Sequence, residues 1–395
     1  MTSLKEFRRL LLSIALVSAL VGSAANAQTY RGYGTGNGAH PYAGVTIKGN
    51  LVYGTTAYGG GGGGAVYEIH LGTLYGFGPG DTGPLARVIF GPDGRLYGTY
   101  SDSTGSFVFN MLPQATICKT ACQPWKLNDI HDFTGFPSDG ATAGYGDLTW
   151  DQQGNIYGTT TIGGAQELGV VYELLPPVPP SKTWTEKVLW SFTGPDGANP
   201  QNAVIFDGNG NLFGTTKRGG AYGYGTVFKL TPSGNTWTET NVYDFQGGND
   251  GRYPIAGLMM DGSGNFYGAT SDGGSGLGGT VFELTPSGNA YTFNLLYSFS
   301  GQLGQNAGPW ATLSMDAAGS LYGTTLYGGA NRGGRVFKLT NTQNGWVYSS
   351  LHDFGSGLDF INPISNVTFD ADGNLWGTAT GCNSGCLGGV WEITP

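Results

Sequence analysis

Gly210-Asn211-Leu212-Phe213-Gly214-Thr215-Thr216, or GNLFGTT, is the phrase whose recurrence decides the fold. It returns as GNIYGTT (Gly154–Thr160), GNFYGAT (Gly264–Thr270), GSLYGTT (Gly319–Thr325) and GNLWGTA (Gly373–Ala379). Two looser copies come earlier, GRLYGTY at Gly94–Tyr100 and GNLVYGTT at Gly49–Thr56. The glycine after the aromatic falls at 54, 98, 158, 214, 268, 323 and 377, so successive copies lie 44, 60, 56, 54, 55 and 54 residues apart. Self-similarity at this period marks an array or closed ring of small, similar sheets.

Outward from the phrase, each repeat parses into four strands. In the fifth repeat we expect strand A at Ile255–Met260, B at Asn265–Thr270, C at Thr280–Thr285 and D at Tyr291–Phe299. The A–B turn, Asp261-Gly262-Ser263-Gly264, supplies the positive φ of a tight hairpin. Four antiparallel strands per repeat make the blade of a β-propeller, and seven repeats make seven blades. The expected fold is therefore all-β: a seven-bladed β-propeller of four-stranded antiparallel blades, closed by an N-terminal strand in the last blade. Closure follows from the ends. The chain stops after a strand C, Glu392-Ile393-Thr394-Pro395, while an orphan D-like strand at Tyr30–Tyr33 precedes the first repeat. Joining the two removes exposed edges. The aromatic–glycine step in strand B needs a close neighbour, expected to be a bulky residue of the adjacent blade.

Composition agrees. The 395 residues include 73 glycines without a G-X-Y period, interleaved with 22 tyrosines, 20 phenylalanines and 9 tryptophans, which reads as short strands between tight turns. No helical periodicity occurs beyond the N-terminus. There, Lys5, Arg8 and Arg9 precede the apolar run Leu10–Val21 and the small-residue site Ala25-Asn26-Ala27, so residues 1–27 read as a signal peptide cleaved after Ala27 and residues 28–395 as the propeller. Removing three basic residues from 18 and one acidic residue from 27 leaves 15 against 26, a net charge of −11. That disfavours nucleic acid and anionic membranes as partners, and a secreted or periplasmic monomer is expected.

The phrase GNLYGTT..GG....G.VFKLTP, as in Gly210–Pro232 and less completely Gly319–Thr340, resembles the GloVer-type tandem repeat of exported bacterial proteins. The resemblance spans the chain beyond residue 27. It implies a secreted repeat protein, sometimes carrying a separate C-terminal sorting anchor that is not seen here, and it lends no catalytic residues.

Candidate sites are weighed against plainer roles. Cys118 with Cys122 and Cys382 with Cys386 form two local pairs, for which disulfides are preferred over a four-cysteine zinc site. Each would close a short loop and contribute about 2 kcal/mol. Asp207–Asn211 and Asp370–Asn374 mimic the opening of a calcium loop but run directly into strands, so hairpin turns are expected. Asp81, Asp139, Asp196, Asp250 and Asp359 precede strand A, where side-chain-to-backbone turn bonding accounts for them more simply than a cation ring. His131 and His352 stand where other repeats have Tyr243 and Tyr297, so both read as packing substitutes. No catalytic residue, metal or cofactor is expected.

The expected ligand site lies at the channel mouth, where strand A begins. One column there reads Gly44, Arg87, Asp147, Ala203, Gly257, Thr312 and Asn366. Arg87 and Asp147 fall in consecutive blades and should meet. Two residues earlier, Tyr42, Tyr145 and Trp310 offer faces of the sort that stack on sugar rings. Tyr42, Arg87, Tyr145, Asp147, Trp310 and Asn366 are thus the candidates for binding a small-molecule, glycan or protein ligand. An ion pair that only fastens two blades, beside aromatics that plug the channel, is the structural reading weighed ahead of it. An exported binding protein is favoured, and a propeller lyase or hydrolase acting on a carbohydrate or small substrate is the alternative.

Overall fold

The computed structural model describes residues 28–35, 38–113, 124–142, 146–301 and 307–394. The expected signal peptide and Tyr145 lie outside them. The disulfide expected between Cys118 and Cys122 is not shown, because Cys118 and Cys122 both lie outside the described residues. Among the described residues the chain is all-β, without helix, and forms a seven-bladed propeller of four-stranded antiparallel sheets. Strand B numbers the blades: Leu51–Thr56, Leu96–Ser101, Ile156–Thr160, Leu212–Thr216, Phe266–Thr270, Leu321–Thr325 and Leu375–Cys382 for blades 1 to 7. In blade 4 the order is Ile205–Phe206, Leu212–Thr216, Thr226–Ser233 and Thr236–Asp244, strands A to D.

Closure occurs as the chain ends imply. Thr29–Tyr33 pairs antiparallel with Gly389–Thr394 in the register Thr29↔Thr394 to Tyr33↔Val390 and serves as strand D of blade 7. Tyr30 packs against the core of that blade and stacks on His352, the ring centroids being 4.1 Å apart. The first strand of the chain thereby grips both of the last two blades. Strands A are shorter than expected, Met259–Met260 in blade 5, while C and D of that blade extend to Leu277–Ser287 and Ala290–Ser300.

The central glycine of the repeated phrase departs from expectation in an instructive way. Its close neighbour is an aromatic residue of the same blade, directly opposite on strand C, rather than one from the adjacent blade. The cross-strand pairs are Gly54↔Tyr67, Gly98↔Phe109, Gly158↔Tyr172, Gly214↔Phe228, Gly268↔Phe282, Gly323↔Phe337 and Gly377↔Trp391. A Cβ on Gly214 would stand 2.5 Å from Phe228 Cζ, so the ring lies flat across the strand only because the side chain is missing. The aromatic side chain thus fills the blade from within, and the neighbouring blade packs against the filled surface.

The threonine after that glycine fastens blade to blade. Thr55, Thr159, Thr215, Thr324 and Thr378 donate their hydroxyls to Ala86, Asn202, Ala256, Ser365 and Ala43 carbonyls, each on the next blade just ahead of strand A. The last of these crosses from blade 7 to blade 1. Strand A repeats the device: Thr368 donates to the Val45 carbonyl at 3.0 Å, again across the closure seam. These bonds are buried, or half-buried at Thr159 and Thr368, and each contributes about 1 kcal/mol. They hold the inner strands in the register that shapes the channel mouth.

Turn aspartates behave as turn residues. Asp207 Oδ1 accepts from the Asn209 and Asn211 amides at 2.8 and 2.9 Å, and Asp370 Oδ1 accepts from those of Asp372 and Asn374 at 3.0 and 2.8 Å. The carboxylates close hairpins, the turn role read for them. Of the two cysteine pairs, Cys382 and Cys386 are joined in a disulfide that pins the B–C loop of blade 7.

Candidate functional site

The inner ends of the blades converge on a cavity of about 460 Å³. Its walls take residues from every blade: Tyr42–Gly44, Leu85, Asp147, Gln201 and Asn202, Ile255, Trp310–Thr312, and Ile364–Asn366. Such a lining identifies it as the mouth of the central channel. Lys217, in the B–C loop of blade 4, joins the wall and places those loops on the same face as the strand A starts.

Of the sequence-predicted residues, Tyr42, Asp147, Trp310 and Asn366 line this cavity together. Arg87 does not line it but meets Asp147 as expected. Its Nη2 stands 2.7 Å from Asp147 Oδ2, its Nε donates to the same oxygen at 3.0 Å, and its backbone amide donates to Oδ1 at 3.1 Å. Both side chains are one-quarter exposed, so the pair fastens blade 2 to blade 3 in a partly dry setting and fixes the carboxylate's orientation.

The opposite wall is held by an amide. Asn202 Nδ2 donates to the Ile255 carbonyl at 3.1 Å, and its Oδ1 accepts from the Ala203 amide at 3.0 Å. Thr312 Oγ1 lies 3.4 Å from that Oδ1 and accepts from the Gly257 amide at 3.1 Å, so one chain of bonds joins blades 4, 5 and 6. Gly257 leaves the space that these two side chains occupy, since a Cβ there would come within 2.6 Å of Thr312 Oγ1 and 2.9 Å of Asn202 Oδ1. On the far side, Asn366 of blade 7 covers Gly44 of blade 1 in the same manner. Small residues in the column therefore receive amide and hydroxyl side chains from neighbouring blades.

Sequence reading missed Gln201, Asn202 and Lys217 in this wall. Lys217 carried a legible signal. The position after the GTT phrase holds Ala57, Ser101, Thr161, Ser271, Leu326 and Thr380 in the other blades, so a charge at Lys217 is a departure from the repeat. Burial and then the neighbouring Arg218 lower the pKa of Lys217 below that of an ordinary lysine.

A second cluster lies at the seam between blades 2 and 3. His131, on strand D of blade 2 (Trp125–Phe133), Asp139, in the following linker, and Glu186, on strand D of blade 3 (Thr185–Ser191), face one another. His131 Nε2 stands 3.9 Å from Asp139 Oδ2 and 3.9 Å from Glu186 Oε1. Burial opposes ionisation of Asp139, but His131 and the Thr134 amide and hydroxyl outweigh it and hold the carboxyl at about 2. Burial, reinforced by the Asp139 charge, pushes Glu186 up to about 8. His352 plays the packing role read for it, stacking on Tyr30 and bonding Asp359 at 2.9 Å through Nε2. His131 is placed differently, with no such bond to its linker aspartate.

Fold and channel mouth define a propeller built of tandem repeats, and the sequence identifies the repeat. The chain belongs to the Gloeobacter/Verrucomicrobia repeat family, which it matches over residues 84–260 and 145–391. No protein of curated function matches it. Among solved structures it is similar to a putative oxidoreductase (glucose dehydrogenase) of Thermus thermophilus, at 16% identity and TM-score 0.43 over 78% of this chain and 95% of that one. It is also similar to a gluconolactonase of Xanthomonas campestris, at 14% identity and TM-score 0.42 over 76% and 81%. A third is the PQQ-bound aldose sugar dehydrogenase of Streptomyces coelicolor, at 14% identity and TM-score 0.44 over 93% and 98%.

Proposed function

We propose that this is an exported, monomeric ligand-binding propeller whose channel mouth receives a small polar molecule, a carbohydrate above all. The observation that carries the reading is the lining of the mouth: an indole and a phenol, Trp310 and Tyr42, beside the amides Gln201, Asn202 and Asn366. Aromatic faces cover the apolar faces of a sugar ring, while amides offer both a donor and an acceptor to its hydroxyls. The cavity volume of about 460 Å³ accommodates a mono- or disaccharide and falls in the range of small-molecule sites. Binding is favoured over catalysis because Asp147, the carboxylate lining the cavity, is already engaged by the Nη2, Nε and backbone amide of Arg87. A general base needs a free lone pair aimed at the substrate.

Lys217 supports the enzymatic alternative, since a lysine with a depressed pKa at a cavity wall can act as a base or carbonyl nucleophile. A glycan array followed by calorimetry tests the first reading, with a turnover screen beside it. Trp310→Ala should abolish binding while Arg87→Ala lowers stability. Absence of any carbohydrate binding, or binding indifferent to Trp310→Ala, would overturn the reading. Turnover lost on Lys217→Met would establish the alternative.

A further inference from the structure

The seven blades supply their own controls for the seam between consecutive strands D. One position, opposite the strand C valine that directly precedes the aromatic residue, holds Tyr75, His131, Trp190, Tyr243, Tyr297 and His352 in blades 1 to 6. Two seams show the ordinary arrangement in full. Tyr243 stacks on Phe293 of the next blade at 4.5 Å, and its hydroxyl donates to Asp250 at 3.1 Å. His352 stacks on Tyr30 and bonds Asp359. At a third seam Trp190 Nε1 donates to Asp196 at 2.9 Å. At these three seams a ring nitrogen or hydroxyl is bonded to the linker aspartate.

The seam between blades 2 and 3 has the linker aspartate, Asp139, but His131 makes no such bond to it. Where blades 5, 6 and 7 place Phe293, Tyr348 and Tyr30, blade 3 places Glu186, as blade 4 places Glu239; the register shows the equivalence, since Leu174, Leu230, Leu284, Leu339 and Ile393 are the strand C partners. His131 Nε2 stands 3.9 Å from one oxygen of each carboxylate, beyond hydrogen-bond range. Two ligands of one tetrahedral ion, each bonded at about 2.0–2.2 Å, lie about 3.4 Å apart, and the three ligand atoms here lie within 4.8 Å of one another, so modest side-chain movement closes them on an ion. His131 Nε2, Asp139 Oδ1 and Glu186 Oε1 are all buried without a hydrogen-bond partner. Asp139 is 6% exposed, and its Oδ2, the oxygen 3.9 Å from His131 Nε2, is held by the Thr134 amide and hydroxyl at 2.6 and 3.0 Å, leaving Oδ1 as the unpartnered atom. That anchorage orients the carboxylate as an outer-shell bond orients a metal ligand.

We propose that His131, Asp139 and Glu186 form a divalent transition-metal site, of the zinc class, that ties blade 2 to blade 3. One imidazole and two carboxylates suit Zn²⁺, and a solvent molecule completes the tetrahedron. The three ligands come from two strands D and the linker between them. The ion therefore replaces, at this seam, the ring stack that joins the outer strands at others. The site lies on outer strands and shares no residue with the channel mouth, so it stands or falls independently of the ligand there.

The test is calorimetric titration of chelator-treated, purified protein with Zn²⁺, with Co²⁺ absorption as a report on geometry. We expect one equivalent bound, visible Co²⁺ bands of a four-coordinate site, and a rise in melting temperature on metal addition. His131→Tyr places here the residue of blades 1, 4 and 5, and its phenol can bond the linker aspartate as Tyr243 does in blade 4, so it preserves folding. It should weaken Zn²⁺ binding by about 100-fold or more, as should Glu186→Gln. His352→Tyr should leave binding unchanged. No Zn²⁺ binding by the parent protein, or binding unaffected by His131→Tyr, would overturn the proposal and leave the two carboxyls sharing a proton as the account of the cluster.

Discussion

Substituting Gly214 by alanine tests the packing rule that every blade repeats. A Cβ there would lie 2.5 and 2.8 Å from Phe228 Cζ and Cε1 and 3.3 Å from Val204 Cγ1. Phe228 cannot yield freely: it is fully buried, and its ring meets that of Phe192 at 5.1 Å in a core shared with Leu212 and Leu230. One methyl forced into such a core costs about 1–3 kcal/mol. For a chain of this length that is a fall in melting temperature of about 1–4 °C. Gly210→Ala is the contrasting control, with open space around its Cβ but a φ of +81°, and it costs about 1 kcal/mol through the backbone alone. The decisive assay is a double-mutant cycle in urea with Phe228→Leu, which frees the volume the new methyl needs. Gly214→Ala should then cost at least about 1 kcal/mol less than it does alone. A neutral Gly214→Ala, or effects that add within about 0.5 kcal/mol, would refute the same-blade packing rule.

Two further outcomes follow from the ring. Deleting Gln28–Tyr33 strips strand D from blade 7 and uncovers the edge of Gly389–Thr394, so the melting temperature should fall sharply in a calorimetric scan, whereas an unchanged melt would refute closure by that strand. Glu239 is pushed up to about 8 by burial, then by Asp196 and Asp244, so folding is penalised only where the folded protein must ionise it. The penalty is absent below the unfolded value of about 4.3, grows as pH rises, and is complete above about 8. Because the side chain is only partly buried, screening reduces it to about 1 kcal/mol. Glu239→Gln should therefore stabilise the protein at pH 9 and make no difference at pH 4, as read by urea midpoints.

What was legible in the sequence was whatever repeats. GNLFGTT encodes three separate pieces of physics: a turn glycine, a glycine that admits an aromatic side chain, and a threonine that reaches the next blade. Seven copies made the blade count and closure readable. The partner of the central glycine was misassigned because a sequence shows that a close neighbour is needed without showing from which side it comes. Register alone decides that, and register places Phe228 opposite Gly214 on the same sheet.

Positions that depart from the repeat carried the other information, and they were read unevenly. Arg87 and Asp147 stood out as charges in a neutral column, and they meet. Lys217 departs from its column just as plainly but lies outside the strand A starts, and only the shape of the mouth brings it to the wall. His131 was equated with Tyr243 because the column permits an aromatic ring there. What changes its chemistry is Glu186, 55 residues away, standing where three other seams place an aromatic ring. No single column reveals such a coincidence. It becomes visible only when two columns on neighbouring blades are read together across the seam, which requires the fold first. In a protein assembled from near-identical blades, therefore, the places where two departures meet are where specific chemistry is to be sought: Arg87 with Asp147 at the mouth, and His131 with Glu186 at the rim.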